Sequence, residues 1–197
     1  MKDLISHHAA TVAPRLLNAV LTSTVDGQSV AIRITEVEAY GGEGEDPGSH
    51  AFRRQTPRNA TMFGPPGRAY VYFTYGMHWC LNVVTQPDGT AGAVLIRAGE
   101  VIEGLDAARR RRPSATSDRD LARGPARLTT ALGVTGALDG TALFGARSPL
   151  RLALPRAEAP TYGVSPRTGV GGAGAGTPWR FYLPDERTVS QYRRAAR

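Results

Sequence analysis

The chain has 197 residues, 41% hydrophobic and 21% charged, an ordinary globular composition with length for one core and one domain spanning 1–197. Its net charge of +7 at pH 7 points to a polyanionic partner, nucleic acid first. A single cysteine, Cys80, excludes an intramolecular disulfide and any multi-cysteine metal site; with no signal-peptide core and no run of membrane-span length, the chain is expected in a reducing, cytoplasmic compartment, away from membranes.

In chain order, residues 13–21 read as a helix, with Pro14 in its first turn and Leu16, Leu17, Val20 and Leu21 on one face. LTSTV, an Asp26-Gly27 turn and SVAIRITEVEAY form a hairpin with one long strand. Residues 41–59 are a polar, glycine-rich loop. Thr56-Pro57 has the pattern of a cap and first residue for a short helix through Met62. A second hairpin occupies 68–84, and GAVLIRAGEV at 92–101 is a strand. A helix over 102–112 stops at Pro113, SATSD is expected to be mobile, and Gly124-Pro125 opens a helix that ends near Gly133. Leu150 to Leu154 and WRFYL at 179–183 are short strands, while GVGGAGAG at 169–176 is too rich in glycine for a regular element. The order implies an α+β fold, a mostly antiparallel mixed sheet with surrounding helices and a protruding hairpin.

That second hairpin, RAYVYFTYGMHWCLNVV, has an unusual tip. Tips meet water and favour Asn, Asp, Gly or Ser, yet here Tyr75 and Met77 flank Gly76. An apolar tip suggests a wedge. Along the strands, Tyr70, Tyr72 and Thr74 share one face, and His78, Cys80 and Asn82 alternate with the core-like Trp79, Leu81 and Val83. Asn82, boxed in by apolar neighbours, needs hydrogen-bond partners, either as a bridge to backbone or as a reader at a pocket wall. Tyr72 on a strand is most simply a core aromatic.

Glu36, Glu38 and Tyr40 line up at the end of the long strand. A carboxylate beside an aromatic ring suits a general base in a half-dry pocket, although spacing alone favours two solvent-facing acids on an edge strand. Residues 109–127 hold seven arginines against two aspartates, which suits a solvated face as well as a phosphate contact. The four histidines lack metal-ligand spacing on one helix, and the glycine loop lacks the Lys and Ser or Thr of a P-loop.

EVEAYGG, the histidine of GSHAF, RQTPRNATMFGPPGRAYVYFTYGMHWCLNVV, AVLIRAGE, ARGPARLTTALG and PWRFYLP together resemble the alkyladenine (3-methyladenine) DNA glycosylase family over nearly the whole chain. The resemblance implies a monomeric enzyme without metal or cofactor, acting on double-stranded DNA that contains damaged purines. It removes alkylated or deaminated purines by hydrolysing the N-glycosidic bond. Tyr75 resembles the residue that fills the gap left by a flipped nucleotide, flanked by Met77 and His78. Glu38 resembles the general base, and Arg97 the arginine that holds the attacking water and a nearby phosphate. Tyr40, His50 and Tyr72 resemble the walls around the flipped base, and Asn82 the residue that obstructs the amino group of normal guanine. Arg54 and Thr56 resemble phosphate contacts. The sequence departs from the family pattern at His78, where tyrosine is common, and in the degenerate 169–176 stretch. A non-catalytic wedge protein would not need Glu38, and a nucleosidase would need neither wedge nor basic segment. The only lysine is Lys2, so Schiff-base chemistry at the sugar is not expected.

Overall fold

The computed structural model describes residues 2–156 and 159–195. Two one-turn helices, α1 (Lys2–Ile5) and α2 (Ala9–Val12), lead into a 3-10 turn at Ala13–Leu16. Strand β1 (Val20–Val25) and the long β2 (Gln28–Tyr40) follow, then β3 (Ala69–Thr74), β4 (His78–Val84) and β5 (Ala93–Glu103). Helices α3 (Leu105–Arg111) and α4 (Pro125–Leu132) precede three short strands, β6 (Leu150–Ala153), β7 (Gly163–Ser165) and β8 (Arg180–Tyr182).

Among the described residues, all eight strands belong to one sheet of order β3-β4-β5-β2-β1-β6, with β8 on β2 and β7 on β8. Every ladder is antiparallel. β2 is the spine. One edge pairs with β5 from Ala31 to Tyr40; the other pairs first with β1 and then, at Glu36–Glu38, with β8. The Asp26-Gly27 turn has both residues left-handed (φ 53° and 68°), the backbone that a tight hairpin demands. Leu16, Leu17, Ile32, Ile34, Val94, Ile96, Leu128 and Leu132 join one core between the sheet and its helices, and α4 is tied to β4 by the Thr129 hydroxyl, which donates to the Trp79 carbonyl at 3.0 Å. No helix among the described residues is long and apolar enough to cross a membrane.

Several expected boundaries move. The helix expected at 13–21 is only a 3-10 turn at Ala13–Leu16, because Leu17 is already extended (ψ 138°), Asn18 is left-handed (φ 62°) and Val20 and Leu21 enter β1. The helix expected from Pro57 begins at Ala60. Thr56–Asn59 form a turn instead, closed by the Asn59 N–H on the Thr56 carbonyl at 3.2 Å and by Asn59 Oδ1 accepting the Thr56 N–H at 2.6 Å. β5 runs to Glu103 and left-handed Gly104 (φ 73°) delays α3 to Leu105. SATSD is pinned rather than loose: the Arg109 guanidinium holds Asp118 with two bonds of 2.9 and 2.8 Å, and the Ser117 hydroxyl donates to Asp120 at 2.8 Å. The notional 169–176 coil contains a 3-10 turn at Gly172–Gly174, and β7 was not anticipated.

One irregularity positions everything discussed below. In the β2–β5 ladder the pairs run Ile34↔Gly99, Glu36↔Ala98 and Val37↔Ile96, so Thr35 and Arg97 have no partner in register. Each extra residue flips the alternation of its strand. Val30, Ile32 and Ile34 face the core before the skip, and Val37 and Ala39 after it. Glu36, Glu38 and Tyr40 are thereby turned to the opposite face, and Leu95 and Arg97 turn with them on β5. The backbones approach closely here: a Cβ on Gly99 would lie 2.7 Å from the Arg33 carbonyl oxygen. Gly99→Ala is therefore expected to cost about 1–3 kcal/mol in chemical denaturation, as overpacking does. Gly176→Ala, where the added Cβ meets nothing within 4 Å, is expected to stay within about 0.5 kcal/mol of wild type. Equal effects at the two sites would contradict the close approach.

Candidate functional site

Glu36 and Glu38 are fully buried on an interior strand, not exposed on an edge, which corrects the expectation from spacing alone. Each buried acid has partners. Glu36 Oε1 receives Arg180 Nε at 2.6 Å, Arg97 Nε at 2.9 Å and the Ser190 hydroxyl at 2.9 Å, and its Oε2 receives the Ser190 N–H at 2.6 Å. Glu38 is less committed. Its Oε1 accepts the Thr168 N–H at 2.7 Å, and its Oε2 accepts the Tyr40 hydroxyl at 3.0 Å and a long contact from Arg97 Nη1 at 3.5 Å. Burial pushes the Glu38 carboxyl above its ordinary value, with Arg97, the Thr168 N–H and Tyr40 opposing that rise. Burial works against the Arg97 charge, but Glu38 and Glu36 outweigh it and hold the guanidinium firmly protonated.

Glu38 opens onto a cavity of about 300 Å³, within the range of small-ligand sites. The cavity is where the hairpin faces converge: Tyr70, Tyr72 and Thr74 from β3, with His78, Cys80 and Asn82 from β4, line it beside Tyr40, His50, Tyr75 and Arg97. Three rings pack as a unit. His50 meets Tyr72 edge-on at 4.6 Å, Tyr70 lies 5.3 Å from Tyr72, and His50 Nδ1 pairs with the Tyr70 hydroxyl at 3.1 Å. Burial, and then the Arg58 charge, lower the His50 pKa and favour the neutral imidazole. Asn82 donates Nδ2 to the Tyr70 carbonyl at 3.0 Å, which fixes its amide on the cavity wall. Tyr72 is therefore not buried core, although it rests on the small cluster of Met62, Phe63, Tyr70 and Val84.

The hairpin tip projects from this mouth. Tyr75 is 86% exposed and Met77 66%. Tyr75 and Gly76 are both left-handed, at φ 51° and 67°. For a bulky residue that conformation costs on the order of 1–2 kcal/mol, so a tyrosine at this position is held against local preference. Arg54 and Thr56 lie apart from the main cavity. They line a neighbouring depression of about 270 Å³ that shares His50 with it.

Other residues around the site were not singled out from the sequence. Thr168 supplies a backbone donor to Glu38, and Gly169 and Val170 line the cavity, so the glycine-rich stretch begins at its wall. Asn59 is buried and organises the 50–59 loop, donating Nδ2 to the carbonyls of His50 (2.8 Å) and Arg54 (3.1 Å). Arg167 and Asp46 form a buried ion pair. Part of the 109–127 arginine run is structural: Arg111 donates to the carbonyls of Val25 and Ala131, and Arg123 to that of Val189.

A family model described as Methylpurine-DNA glycosylase matches residues 3–187. Among curated relatives, a protein of Leifsonia xyli subsp. xyli is 55% identical over 98% of this chain and 92% of its own length. One from Nocardia farcinica is 56% identical over 95% of this chain and 88% of its own length. One from Streptomyces avermitilis is 52% identical over 98% of this chain and 91% of its own length. All three carry the name "Putative 3-methyladenine DNA glycosylase". With a match over nearly its whole length, on a sheet that gathers buried acids, arginines and aromatic rings around one cavity, this chain belongs to the methylpurine-DNA glycosylase family, hydrolases of the N-glycosidic bond.

Proposed function

We propose that the protein, acting as a monomer in the cytoplasm, flips alkylated or deaminated purines out of duplex DNA and hydrolyses their glycosidic bond, starting base excision repair. The observation that carries this reading is a fully buried carboxylate, Glu38, opening onto an aromatic-lined cavity directly beside an exposed tyrosine-tipped hairpin. The flipped base enters between the rings of His50 and Tyr72 and that of Tyr40, while Tyr75 enters the minor groove and fills the vacated stack, with Met77 and His78 at its sides. Arg54 and Thr56 contact phosphate beyond the cavity mouth.

Glu38 takes a proton from water as the water oxygen bonds to the anomeric carbon and the bond to the purine nitrogen breaks. Its charge also stabilises the oxocarbenium character that develops on the sugar. Arg97, 3.5 Å from the same carboxylate, holds the water and a flanking phosphate. A cationic alkylpurine departs as a neutral base, so its loss needs no proton donor; a neutral deaminated purine departs as its anion and is protonated afterwards, balanced by the proton that Glu38 took from water. Electron-rich rings beside a neutral His50 favour such a cation. One face of Tyr40 is already covered by the Arg167 guanidinium at 4.6 Å, so Tyr40 offers the base its other face or its edge. Asn82 obstructs the amino group of normal guanine. Glu36 is saturated by Arg97, Arg180 and Ser190 and serves as an anchor.

Glu38→Gln is expected to abolish excision in single-turnover assays while binding lesion duplex as well as wild type or better, since a negative charge near phosphate is removed. Excision at the wild-type rate would overturn the assignment. In the wild type the base must be ionised, and its proton affinity is raised by burial. The rate should therefore fall as pH drops through an apparent pKa above that of an ordinary glutamate; a flat profile down to pH 4.5 would contradict this.

Tyr75→Gly relieves the left-handed strain, so folding stability should hold or rise. Affinity for lesion duplex should drop by about 1–3 kcal/mol, with far less change on undamaged duplex. Equal losses on both would reduce Tyr75 to a surface contact.

The enzyme is expected to stop at the abasic site. A Schiff base requires an amine, lysine is the usual source, and Lys2 is the only one in the sequence. Arginine remains protonated and cannot replace it. Incubation with lesion duplex under borohydride should trap no covalent adduct; an adduct, or strand breaks without added alkali, would overturn the monofunctional reading.

A further inference from the structure

Arg167 is the largest of the completely buried side chains among the described residues, and the mechanism above leaves it without a task. Its guanidinium forks onto Asp46, Nη1 to Oδ2 at 2.5 Å and Nη2 to Oδ1 at 2.6 Å, and Nη1 also donates to the Ala39 carbonyl at 2.9 Å. Asp46 accepts the N–H groups of Gly41 at 3.0 Å and Gly48 at 2.9 Å, folding the 41–48 loop around its carboxylate. The guanidinium carbon lies 4.6 Å from the Tyr40 ring centroid and 5.4 Å from that of Trp179. Glycines let backbone close over it: a Cβ on Gly48 would come within 2.7 Å of Nη2, and one on Gly174 within 2.9 Å of the Gly48 nitrogen. A buried ion pair is weak evidence for stability, because desolvation offsets most of the attraction. A different use is written in its neighbours. Both close hydrogen bonds that Glu38 accepts come from groups in direct contact with Arg167: the N–H of the next residue, Thr168, and the hydroxyl of Tyr40, whose ring lies under the guanidinium.

We propose that the Arg167–Asp46 pair is the positioning device of this site: it locks the Thr168 N–H and the Tyr40 hydroxyl that aim the Glu38 carboxylate, and never touches the substrate. The charged and titratable groups facing Glu38 are Glu36 and Tyr40 on β2, Arg97 on β5, Tyr72 on β3, Cys80 on β4 and Arg167 itself after β7. Burial raises the proton affinity of Glu38, and Arg97, the Thr168 N–H and Tyr40 restrain it. Loosening the two donors removes part of that restraint, while the opposite charges of Arg167 and Asp46 leave together. The sign is then fixed: disrupting the pair moves the acid limb of the excision profile to higher pH.

The inference rests on Glu38 being the base, and the test separates the two. Asp46→Asn with Arg167→Met removes both charges and the fork while leaving a side-chain oxygen at position 46 for the N–H groups of the 41–48 loop. The folded double variant should bind a duplex containing one hypoxanthine within about threefold of wild type. Its single-turnover rate at neutral pH should fall by about tenfold or more, as small misplacements of catalytic groups do, with the acid limb shifted upward. Arg167→Lys, which keeps the cation and loses the fork, should give a smaller loss in the same direction, and it is the variant to read if the double variant does not fold. An unchanged rate, or a loss equal at every pH with the limb unmoved, overturns the positioning role. If Glu38→Gln excises at the wild-type rate, the underlying reading fails first; if it is inactive while these variants match wild type, only this inference fails.

Discussion

A carboxylate must be kept ionisable where water scarcely reaches, and the rest of this structure follows from that constraint. Glu38 has no exposed surface, yet it is expected to give and take a proton. An isolated charge there would simply neutralise. The fold answers with a nearly balanced cluster on one face of the sheet: Glu36 and Glu38 from β2, Arg97 from β5 and Arg180 from β8. The two acids are treated unequally. Glu36 takes two guanidinium groups and both hydrogen bonds from Ser190, whereas Glu38 keeps only a long contact to Arg97 and two neutral donors. On the proposed reading, unequal environments separate an anchor from a base although the residues are two apart on one strand.

The sheet had to break its own rule to build this cluster. Uninterrupted alternation from Val30 would have placed Glu36 and Glu38 on the core side and Val37 and Ala39 on the site side. The paired skips at Thr35 and Arg97 reverse both strands together, so the ladder resumes in register and the arginine that faces the acids is itself one of the inserted residues. Bulges of this kind re-aim side chains next to active sites, and here the close approach at Gly99 is part of the same device.

Much of this was legible in the sequence where the signal was local. The alternation within 68–84 gave the two hairpin faces, and the structure turns Tyr70, Tyr72, Thr74, His78, Cys80 and Asn82 onto one cavity. Asp26-Gly27 named its own turn, and Gly133 ended α4 as expected. Even the reversal in β2 is written there, since the apolar residues run Val30, Ile32, Ile34 and then Val37, Ala39, a switch from even to odd positions. What stayed hidden was long-range. Arg167 sits among Pro, Thr and Gly, surroundings typical of an exposed loop, and its partner Asp46 lies 121 residues away. The Thr168 donor is a backbone group and carries no side-chain signature. The helix expected at 13–21 failed because Leu16, Leu17, Val20 and Leu21 reach the same core from a turn and a strand, a pattern that periodicity alone cannot divide.

The central claim, that the cavity beside Glu38 receives a nucleotide drawn out of the duplex, is tested most directly by a crystal structure of the Glu38→Gln protein with a duplex carrying a single hypoxanthine. The account expects the base outside the helix, seated among Tyr72, His50 and Tyr40, its anomeric carbon facing position 38, with Tyr75 inside the stack. A hypoxanthine still paired within the helix while Tyr75 remains outside, or a base lodged away from position 38, would contradict it.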